Sequence, residues 1–410
     1  MTIAVLPQEL LDYIIDHLHD DIPTLRDCSL VCHAWLCPSR THIFHSVSLQ
    51  PPKPHQLILR RMKSPTVCAL STILRSAPHL AQYVRELRIY EGMSWQAWII
   101  QEPALVALLP QLTHVRRLHL ERSAALPIPW GSLPLGLQRA LTSPVLQELS
   151  IGTLSFESPE EFLGFLLGCR SLRVLQLDHL SIGAPVEVWD DVSRVERRVH
   201  LDMLVIGPRT SPRIVSCLFS PWSTIEMASL RRLSVSISSH FSEFAALLRC
   251  AKSLEELEIV LMSDVDLVAY ELLRPTDRFD MSRNPRLQML QVKFDVIQRQ
   301  HDPLPWLAAL LASFATTNVL AHVHVVYSVY PPDPYLYRAL DSTSYARWRD
   351  VDALLAANTF GRLEKVHLEF ALENPVEGTV APVFLEVVKL DSPALRARGA
   401  LVVEAFDTSR

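Results

Sequence analysis

A short phrase, apolar-x-x-apolar-x-apolar, recurs along most of this 410-residue chain. Its ten copies are VRELRI (84–89), VRRLHL (115–120), LQELSI (146–151), LRVLQL (172–177), LDMLVI (201–206), LRRLSV (230–235), LEELEI (254–259), LQMLQV (287–292), LAHVHV (320–325) and LEKVHL (363–368). Successive copies begin 24 to 43 residues apart, and periods of about 20 to 50 residues are typical of repeat arrays. The chain is therefore predicted to stack many copies of one structural unit.

The second half of each phrase alternates apolar and polar residues, as a strand with one buried face requires. Helical periodicity occupies segments between the phrases, at PEEFLGFLLGCR (159–170), FSEFAALLRCAK (241–252), PLPWLAALLASFA (303–315) and ARWRDVDALLAAN (346–358). Ser158 is the expected N-cap of the first of these helices. Alternating strands and helices predict an α/β fold with a parallel sheet backed by helices. Such units bury their apolar sides only against their neighbours.

The N-terminal segment LPQELLDYIIDHL (6–18) is predicted to be a helix with more apolar surface than one face can hold. Leu10, Ile14 and Leu18 form one helical stripe, and Leu11 and Ile15 form a second stripe beside it. Pro7 suits the first turn because the N–H that proline lacks would be unbonded there.

A second helix is predicted over PTLRDCSLVCHAWLCP (23–38), with Thr24 and Asp27 as a capping box and Pro38 as its end. Its apolar stripe consists of Leu25, Cys28, Cys32 and Trp35, while Leu30 and Val31 lie off that stripe. Two short helices cannot bury this much apolar surface between them, so we expect a partner protein to cover the surplus. The alternative is that the helices cap one end of the repeat array.

These two segments and HIFHSVSL (42–49) together resemble an F-box. The family pattern is Leu-Pro, an apolar helix ending near His-Leu, a helix with Leu-Val-Cys and Trp, and a Phe before a short strand-like exit. The matching positions are Leu6, Pro7, Ile14, Leu18, Leu30, Val31, Cys32, Trp35 and Phe44.

The repeated phrases resemble a leucine-rich repeat domain, which implies an irregular solenoid with a parallel β-sheet horseshoe. The expected organisation is an F-box over 1–50, a helical linker or cap over 51–78, the solenoid over 79–390 and a C-terminal cap or tail over 391–410. The family's ladder-forming Asn is missing from the position that follows each phrase. Those positions hold Gly92, Ser123, Leu154, Leu180, Arg209, Ser238, Met262, Asp295, Ser328 and Ala371.

The F-box resemblance implies binding to a SKP-family adaptor and, through it, to the cullin of an SCF-type cullin-RING ubiquitin ligase. With repeats behind it, the chain resembles a substrate receptor of the fungal F-box type. The implied adaptor-binding residues are Leu6, Pro7, Leu10, Ile14, Leu18, Leu30, Val31 and Trp35. Cys28 and Trp35 also suit a small core within the F-box itself, so the sequence does not separate core from interface.

Polar residues between and after the last two apolar positions of the phrases would face solvent on the concave side of the solenoid. The candidate substrate-binding residues are Arg88, Tyr90, His119, Glu121, Gln176, Asp178, Glu258, Gln291, Lys293 and His367. Their charges are mixed, so the sequence does not indicate which protein this row would bind. An extended protein surface suits such a row better than a small-molecule pocket, and solenoids bind proteins on this face.

Composition narrows the remaining classes of function. The chain has 39 basic and 44 acidic residues, a formal charge of −5, which does not favour nucleic acid. We find no apolar stretch of the roughly 18 residues that a membrane span requires and no secretory leader. Seven scattered cysteines are consistent with a reducing intracellular setting, cytoplasmic or nuclear.

The sequence predicts neither a cofactor nor a metal site. Cys28, Cys32 and Cys37 are spaced Cys-x3-Cys-x4-Cys beside several histidines, but zinc sites favour tighter paired spacing, so ordinary packing is preferred. His119, His324 and His367 share an outward strand position, where they suit anion binding, pH sensing or a plain surface role. No hydrolase or phosphate-loop motif occurs. An adaptor that only scaffolds its partners, and an enzyme with an unrecognised site, remain the alternatives to a ligase receptor.

Overall fold

A parallel β-sheet runs through the computed structural model of the chain. The structure describes residues 6–52, 64–92, 98–121, 126–183, 199–220, 223–237, 241–262, 278–296, 303–329, 348–372, 389–390 and 392–407. Twelve strands form the main sheet and follow one another in chain order. The described helices back this sheet, which confirms the predicted α/β fold.

Each repeated phrase supplies one strand of the main sheet. The strands are β1 (Ser46–Leu49), β2 (Glu86–Tyr90), β3 (Arg117–Glu121), β5 (Glu148–Gly152), β7 (Val174–Asp178), β9 (Met203–Ile206), β10 (Arg232–Ile237), β11 (Glu256–Leu261), β12 (Met289–Val296), β13 (His322–Val329), β14 (Lys365–Leu372) and β15 (Leu401–Asp407). A second sheet of three short strands consists of β4 (Ile128–Pro129), β6 (Leu154–Phe156) and β8 (Ser181–Ile182). β1 and β15 extend the main sheet beyond the ten phrases.

Three of the described helices precede the first strand, and the others lie between strands in the sequence. They are α1 (Gln8–Asp16), α2 (Ile22–Val31), α3 (His33–Ile43), α4 (Pro65–Ser76), α5 (Trp98–Gln101), α6 (Pro103–Leu108), α7 (Leu135–Leu141), α8 (Pro159–Gly168), α9 (Pro212–Phe219), α10 (Phe241–Cys250), α11 (Leu304–Ala312), α12 (Trp348–Ala356) and α13 (Pro393–Ala397). The four predicted helices between phrases appear as α8, α10, α11 and α12, and Ser158 caps α8 by accepting from the Glu161 N–H at 3.3 Å. Within the described part of the chain, every helix falls short of the length and apolar character that crossing a bilayer requires.

Backbone hydrogen bonds fix the register where successive strands begin. The N–H groups of Arg85 and Glu86 both donate to the carbonyl of His45, at 3.0 and 2.9 Å. The same arrangement joins Glu255 and Glu256 to the carbonyl of Arg231. Because successive strands start at the same register, their alternating side chains fall on matching faces of the sheet.

The contacts divide the chain into two compact units. Unit 1 comprises Met1–Leu175 and Leu180–Val188, and unit 2 comprises Gln176–His179 and Trp189–Arg410. The core of each unit lies between the sheet and its helices. In unit 1, Leu118 of β3 and Phe162 of α8 are buried, and in unit 2, Leu257 of β11 and Leu247 of α10 are buried. The predicted domain boundaries at residues 50, 78 and 390 stay predictions.

The predicted second N-terminal helix is wrong in its boundaries. The segment forms two helices, α2 and α3, because Cys32 between them is extended at φ −162° and ψ 170°. Asp21, not Thr24, caps α2: its carboxylate accepts hydrogen bonds from the Thr24 N–H at 3.1 Å and the Thr24 hydroxyl at 2.6 Å. Pro7 is likewise the N-cap of α1 rather than a first-turn residue.

Pro38 lies inside α3 instead of ending it. A proline in a helix leaves the carbonyl four residues earlier without its usual N–H donor. That carbonyl belongs to Ala34, and it accepts a hydrogen bond from the Gln8 side-chain amide at 3.1 Å. A residue at the start of α1 thus satisfies the acceptor that Pro38 frees, which the sequence of the second segment alone could not indicate.

Two buried asparagines connect neighbouring repeats within unit 2. They do not stand at the position where leucine-rich repeats carry their ladder-forming asparagine. Asn284 is buried and donates from Nδ2 to the carbonyls of Leu248 and Ala251, at 3.1 and 2.8 Å. Asn318 donates to the Ala315 and Thr359 carbonyls. Both asparagines precede a phrase rather than follow it. Of the ten positions at which the ladder-forming Asn would be expected, Ser123 and Ser238 lie outside the described residues.

The Asn284 side chain should be important for stability. We expect Asn284→Ala to lower the denaturation midpoint, with a loss on the order of 2 kcal/mol, because two carbonyls at the end of α10 lose the hydrogen bonds that Asn284 donates. Chemical denaturation followed by circular dichroism measures this loss. Asn358→Ala, at an exposed asparagine of the same unit, is the matched control and should cost far less. Equal losses in both variants would contradict this role.

Candidate functional site

Exposed apolar side chains occur at two places in the N-terminal helices, along α1 and at the end of α2. We define the N-terminal apolar surface as Leu6, Leu10, Tyr13, Ile14, Leu30 and Val31. Leu30 is 84% exposed and Val31 is 64% exposed, although both are fully apolar. The hydrogen bond from Gln8 to Ala34 brings the first turn of α1 to the junction of α2 and α3. The start of α1 and the junction that follows Leu30 and Val31 therefore lie near each other.

A small core beneath this surface is already complete. Ile15, Leu25 and Cys28 are buried together, and four partly buried side chains pack against them: Leu18, Ile22, Trp35 and Ile43. Leu11, one position from Leu10, is also buried. The two stripes of α1 are thus separated, with Leu11 and Ile15 turned inward and Leu10 and Ile14 turned outward.

The eight predicted adaptor-binding residues fall into two groups. Leu6, Pro7, Leu10, Ile14, Leu30 and Val31 are exposed. Leu18 and Trp35 pack against the small core instead. Tyr13 is exposed at 62% and was not among the predicted residues, although its position three residues after Leu10 places it on the same side of the helix. Its ring contacts His17 edge-on, with centroids 4.5 Å apart.

The predicted substrate-binding residues all lie on the face of the sheet that is turned away from the helices, which we call the open face. In unit 1, strand pairing sets Arg88 beside His119 and Tyr90 beside Glu121. In unit 2, it sets Glu258 beside Gln291. Gln176, Asp178, Lys293 and His367 also avoid the buried face of their strands. The alternation of the phrases predicted the face on which these side chains lie, and their role in substrate binding stays a prediction.

A buried carboxylate organises the open face of unit 1. Glu86 is 5% exposed, and its two oxygens lie 2.5 Å from Arg88 Nε and 3.2 Å from the Arg117 guanidinium. Burial raises the pKa of Glu86, but the hydrogen bond from Arg88 and the charge of Arg117 lower it, and the net pKa lies below 4.5. Glu86 was missed because it stands two residues before Arg88, outside the half of the phrase that alternates.

Arg117 also contacts a histidine of the N-terminal segment, His45, which lies between α3 and β1. Its guanidinium lies 2.8 Å from His45 Nε2, and since arginine can only donate, that nitrogen accepts and the ring is neutral. Burial and the charge of Arg117 lower the pKa of His45, which Glu86 opposes. The N-terminal helical segment is therefore connected to the sheet of unit 1 by a polar network as well as by β1.

The open face of unit 2 carries a row of paired side chains. Glu258 accepts from the Ser234 hydroxyl at 2.6 Å and pairs with Lys293 Nζ at 2.6 Å. Burial raises the pKa of Glu258, but these two hydrogen bonds lower it, so the net pKa lies below 4.5. His324 continues the row beyond Lys293.

Two histidines and two glutamates occupy β13, β14 and β15. His324 Nε2 lies 2.9 Å from Glu369, and His367 Nε2 lies 3.1 Å from Glu404. The two imidazole rings stack with centroids 4.6 Å apart and planes 6° apart. Burial lowers the pKa of His324, the hydrogen bond to Glu369 raises it, and His367 lowers it again, leaving it below 6.5. Glu404 was missed because β15 carries no copy of the phrase.

Other candidate sites are less developed. Cys28 belongs to the small core, while Cys32 and Cys37 are exposed, so packing accounts for Cys28 alone. On the helix side of unit 1, a cavity of about 230 Å³ is bordered by Leu87, Leu118 and Arg139. Small-molecule pockets usually span about 300 to 1,000 Å³, so this cavity does not favour a small-molecule function.

Comparison of the chain with protein-family models and with curated proteins finds no match. The features that bear on function are the two exposed surfaces, the N-terminal apolar surface and the open face.

The buried Glu86 predicts a specific acid sensitivity. A carboxylate with a lowered folded-state pKa stabilises the fold above the unfolded value, about 4.5, and this stabilisation is lost as the pH falls through the folded-state pKa. We expect Glu86→Gln to lower the denaturation midpoint at pH 7 and to weaken the decline of that midpoint below pH 4.5. Glu256→Gln, at the equivalent but exposed position of β11, is the control. An unchanged pH dependence in Glu86→Gln would contradict the role of this carboxylate.

Proposed function

We propose that this chain is the substrate-recognition subunit of an SCF-type cullin-RING ubiquitin ligase. In this proposal, the N-terminal helices bind a SKP-family adaptor, and the open face of the sheet captures a protein substrate. The observation that carries the proposal is the N-terminal apolar surface, which stays exposed above a small core that is complete without it.

The energetics of this surface favour a protein partner. Burying a leucine or isoleucine side chain contributes about 1.5 to 3 kcal/mol. Leu10, Ile14, Leu30 and Val31 forgo much of that contribution in the isolated chain because each is at least 41% exposed. Clustered exposed apolar side chains usually mark an interaction site. A partner that covers them would recover this free energy.

The exposed residues coincide with the F-box resemblance. Leu6, Pro7, Ile14, Leu30 and Val31 match the family pattern and are exposed. The matching residues Leu18 and Trp35 support the small core instead. A pattern that combines core and interface positions in this way is expected of a docking module, in which the core holds the interface residues in place.

The alternative of a simple helical cap accounts for less of the surface. The N-terminal segment is attached to unit 1 through β1, which pairs with β2, and through the contact of His45 with Arg117. A cap would need these attachments and the small core. It would not need an exposed Leu30 and Val31 at the end of α2.

The open face suits the capture of a protein more than catalysis. Its charged side chains are engaged in ion pairs such as Arg88 with Glu86 and Lys293 with Glu258. Repeat proteins use extended surfaces of this kind for binding. The proposed receptor performs no covalent chemistry; it raises the local concentration of substrate near the ligase.

Adaptor binding should depend on the N-terminal apolar surface. We expect Leu10→Asp and Leu30→Asp each to weaken binding of a purified SKP-family adaptor by about 30-fold or more, because a central interface residue contributes about 2 kcal/mol. Isothermal titration calorimetry measures the affinity. Leu135→Asp, at a leucine that is 68% exposed on α7, is the matched control and should bind as the unmodified chain does. Adaptor binding that survives both substitutions would contradict the proposal.

Substrate capture should depend on the open face. Replacing Arg88 would leave the buried Glu86 with fewer partners, so the exposed Glu121 and the half-buried Gln291 are better sites for substitution. We expect Glu121→Lys or Gln291→Lys to reduce the amount of co-purified substrate, while adaptor binding stays unchanged. Lys252→Glu, at an exposed residue just after α10, is the control.

Quantitative mass spectrometry of the captured proteins, followed by ubiquitin transfer in a reconstituted ligase, provides the readout. Capture that is unaffected by both open-face substitutions would place substrate binding elsewhere. Captured proteins that receive no ubiquitin would instead indicate a scaffold.

A further inference from the structure

Four potential ligands form a two-by-two array on the open face of unit 2. Strand pairing sets His324 of β13 directly beside His367 of β14, and it sets Glu369 of β14 directly beside Glu404 of β15. His367 and Glu369 are two residues apart on one strand and therefore share a face. Three adjacent strands thus present two imidazoles and two carboxylates to the same small area.

The ligand atoms in this array converge. Among the described residues, the ring nitrogens of His324 and His367 and a carboxylate oxygen of Glu369 all lie within 4.8 Å of one another. Zinc binds nitrogen and oxygen ligands at about 2.0 to 2.2 Å, so ligand atoms in a tetrahedral site lie roughly 3.4 Å apart. Small side-chain rotations on a fixed backbone would bring the three ligand atoms from within 4.8 Å to about 3.4 Å of one another.

The array also places two carboxylates, those of Glu369 and Glu404, side by side. Like charges at directly opposite positions of paired strands destabilise a sheet, and Glu369 and Glu404 hold such positions. Each carboxylate is paired with a histidine, while the nearby Lys293 ammonium is engaged by Glu258 at 2.6 Å. A divalent cation between the carboxylates and the imidazoles would reduce the repulsion of the two glutamates.

We propose that His324, His367 and Glu369 bind a divalent transition-metal ion, with Glu404 as a fourth ligand or as the hydrogen-bond partner of His367. Two imidazoles and a carboxylate suit Zn²⁺ better than Ca²⁺ or Mg²⁺, which prefer sites made of oxygen alone. In the metal-free protein the Nε2 protons of the two histidines point at glutamate oxygens. Metal binding at Nε2 would require the proton of each ring to shift to Nδ1, the tautomer that leaves Nε2 free to coordinate the metal.

The site is independent of the proposed adaptor interaction. It lies entirely on β13, β14 and β15, and the N-terminal apolar surface belongs to unit 1. The sequence pattern pointed to Cys28, Cys32 and Cys37 as the metal candidates to be weighed. The signal that could have identified the array is a histidine in two successive phrases, followed in the second by His-x-Glu at 367–369.

Calorimetric titration of the full chain with ZnCl₂ alone, after treatment with a chelator, tests the proposal. We expect the His324→Gln/His367→Gln variant to lose one equivalent of bound Zn²⁺ relative to the unmodified chain. Glu369→Gln should retain the fold and weaken that equivalent by about tenfold or more. His119→Gln is the matched control, because His119 stands on β3 of unit 1 between two glutamates at 3.9 Å.

Two further readouts separate metal binding from misfolding. Zn²⁺ should raise the denaturation midpoint of the unmodified chain and of His119→Gln but not that of the double variant. Circular dichroism of the metal-free variants should match that of the unmodified chain. The same number of Zn²⁺ equivalents in the unmodified chain and in the double variant would overturn the proposal, as would the absence of saturable binding. The loss of one equivalent in His119→Gln as well would overturn it too.

Discussion

Each strand-and-helix repeat of this chain carries apolar surface that it cannot bury alone. The repeated phrase directs its apolar side chains to one face of a strand, and only neighbouring strands and helices cover them. Shared carbonyl acceptors such as His45 and Arg231 hold successive strands in one register, so the buried faces coincide. The N-terminal helices bury only part of their apolar surface. They close a small core around Ile15, Leu25 and Cys28 and leave a second apolar set without a partner in the described chain.

This difference between the sheet and the N-terminal helices is the basis of the proposed function. In the sheet, neighbouring units within the chain supply the cover, and the remaining open face carries paired polar groups such as Glu258 with Lys293. In the N-terminal helices, Leu10, Ile14, Leu30 and Val31 lack such cover among the described residues, and in the proposed function a second polypeptide supplies it. The two exposed surfaces are therefore of opposite chemical character. A receptor that holds an adaptor by apolar contacts and a substrate by polar contacts requires such a pair.

Much of the sheet could be predicted from the sequence because its signal is local and repeated. All ten phrases form strands, and their alternation identified the open face. The break at Cys32 and the tolerance of Pro38 could not be predicted, since the acceptor freed by Pro38 is satisfied by Gln8 from another helix. Glu86 was missed for a related reason: its importance comes from Arg117 on the next strand. Nothing in the spacing of residues along the chain indicates such a pair.

Hydrogen–deuterium exchange of the full chain, alone and with a purified SKP-family adaptor, tests the central claim most directly. We expect adaptor addition to slow exchange in α1 and around the junction of α2 and α3, where Leu10 and Leu30 lie, with no change in strands β10 to β14. An exchange pattern that is the same with and without the adaptor across residues 8 to 43 would contradict the account.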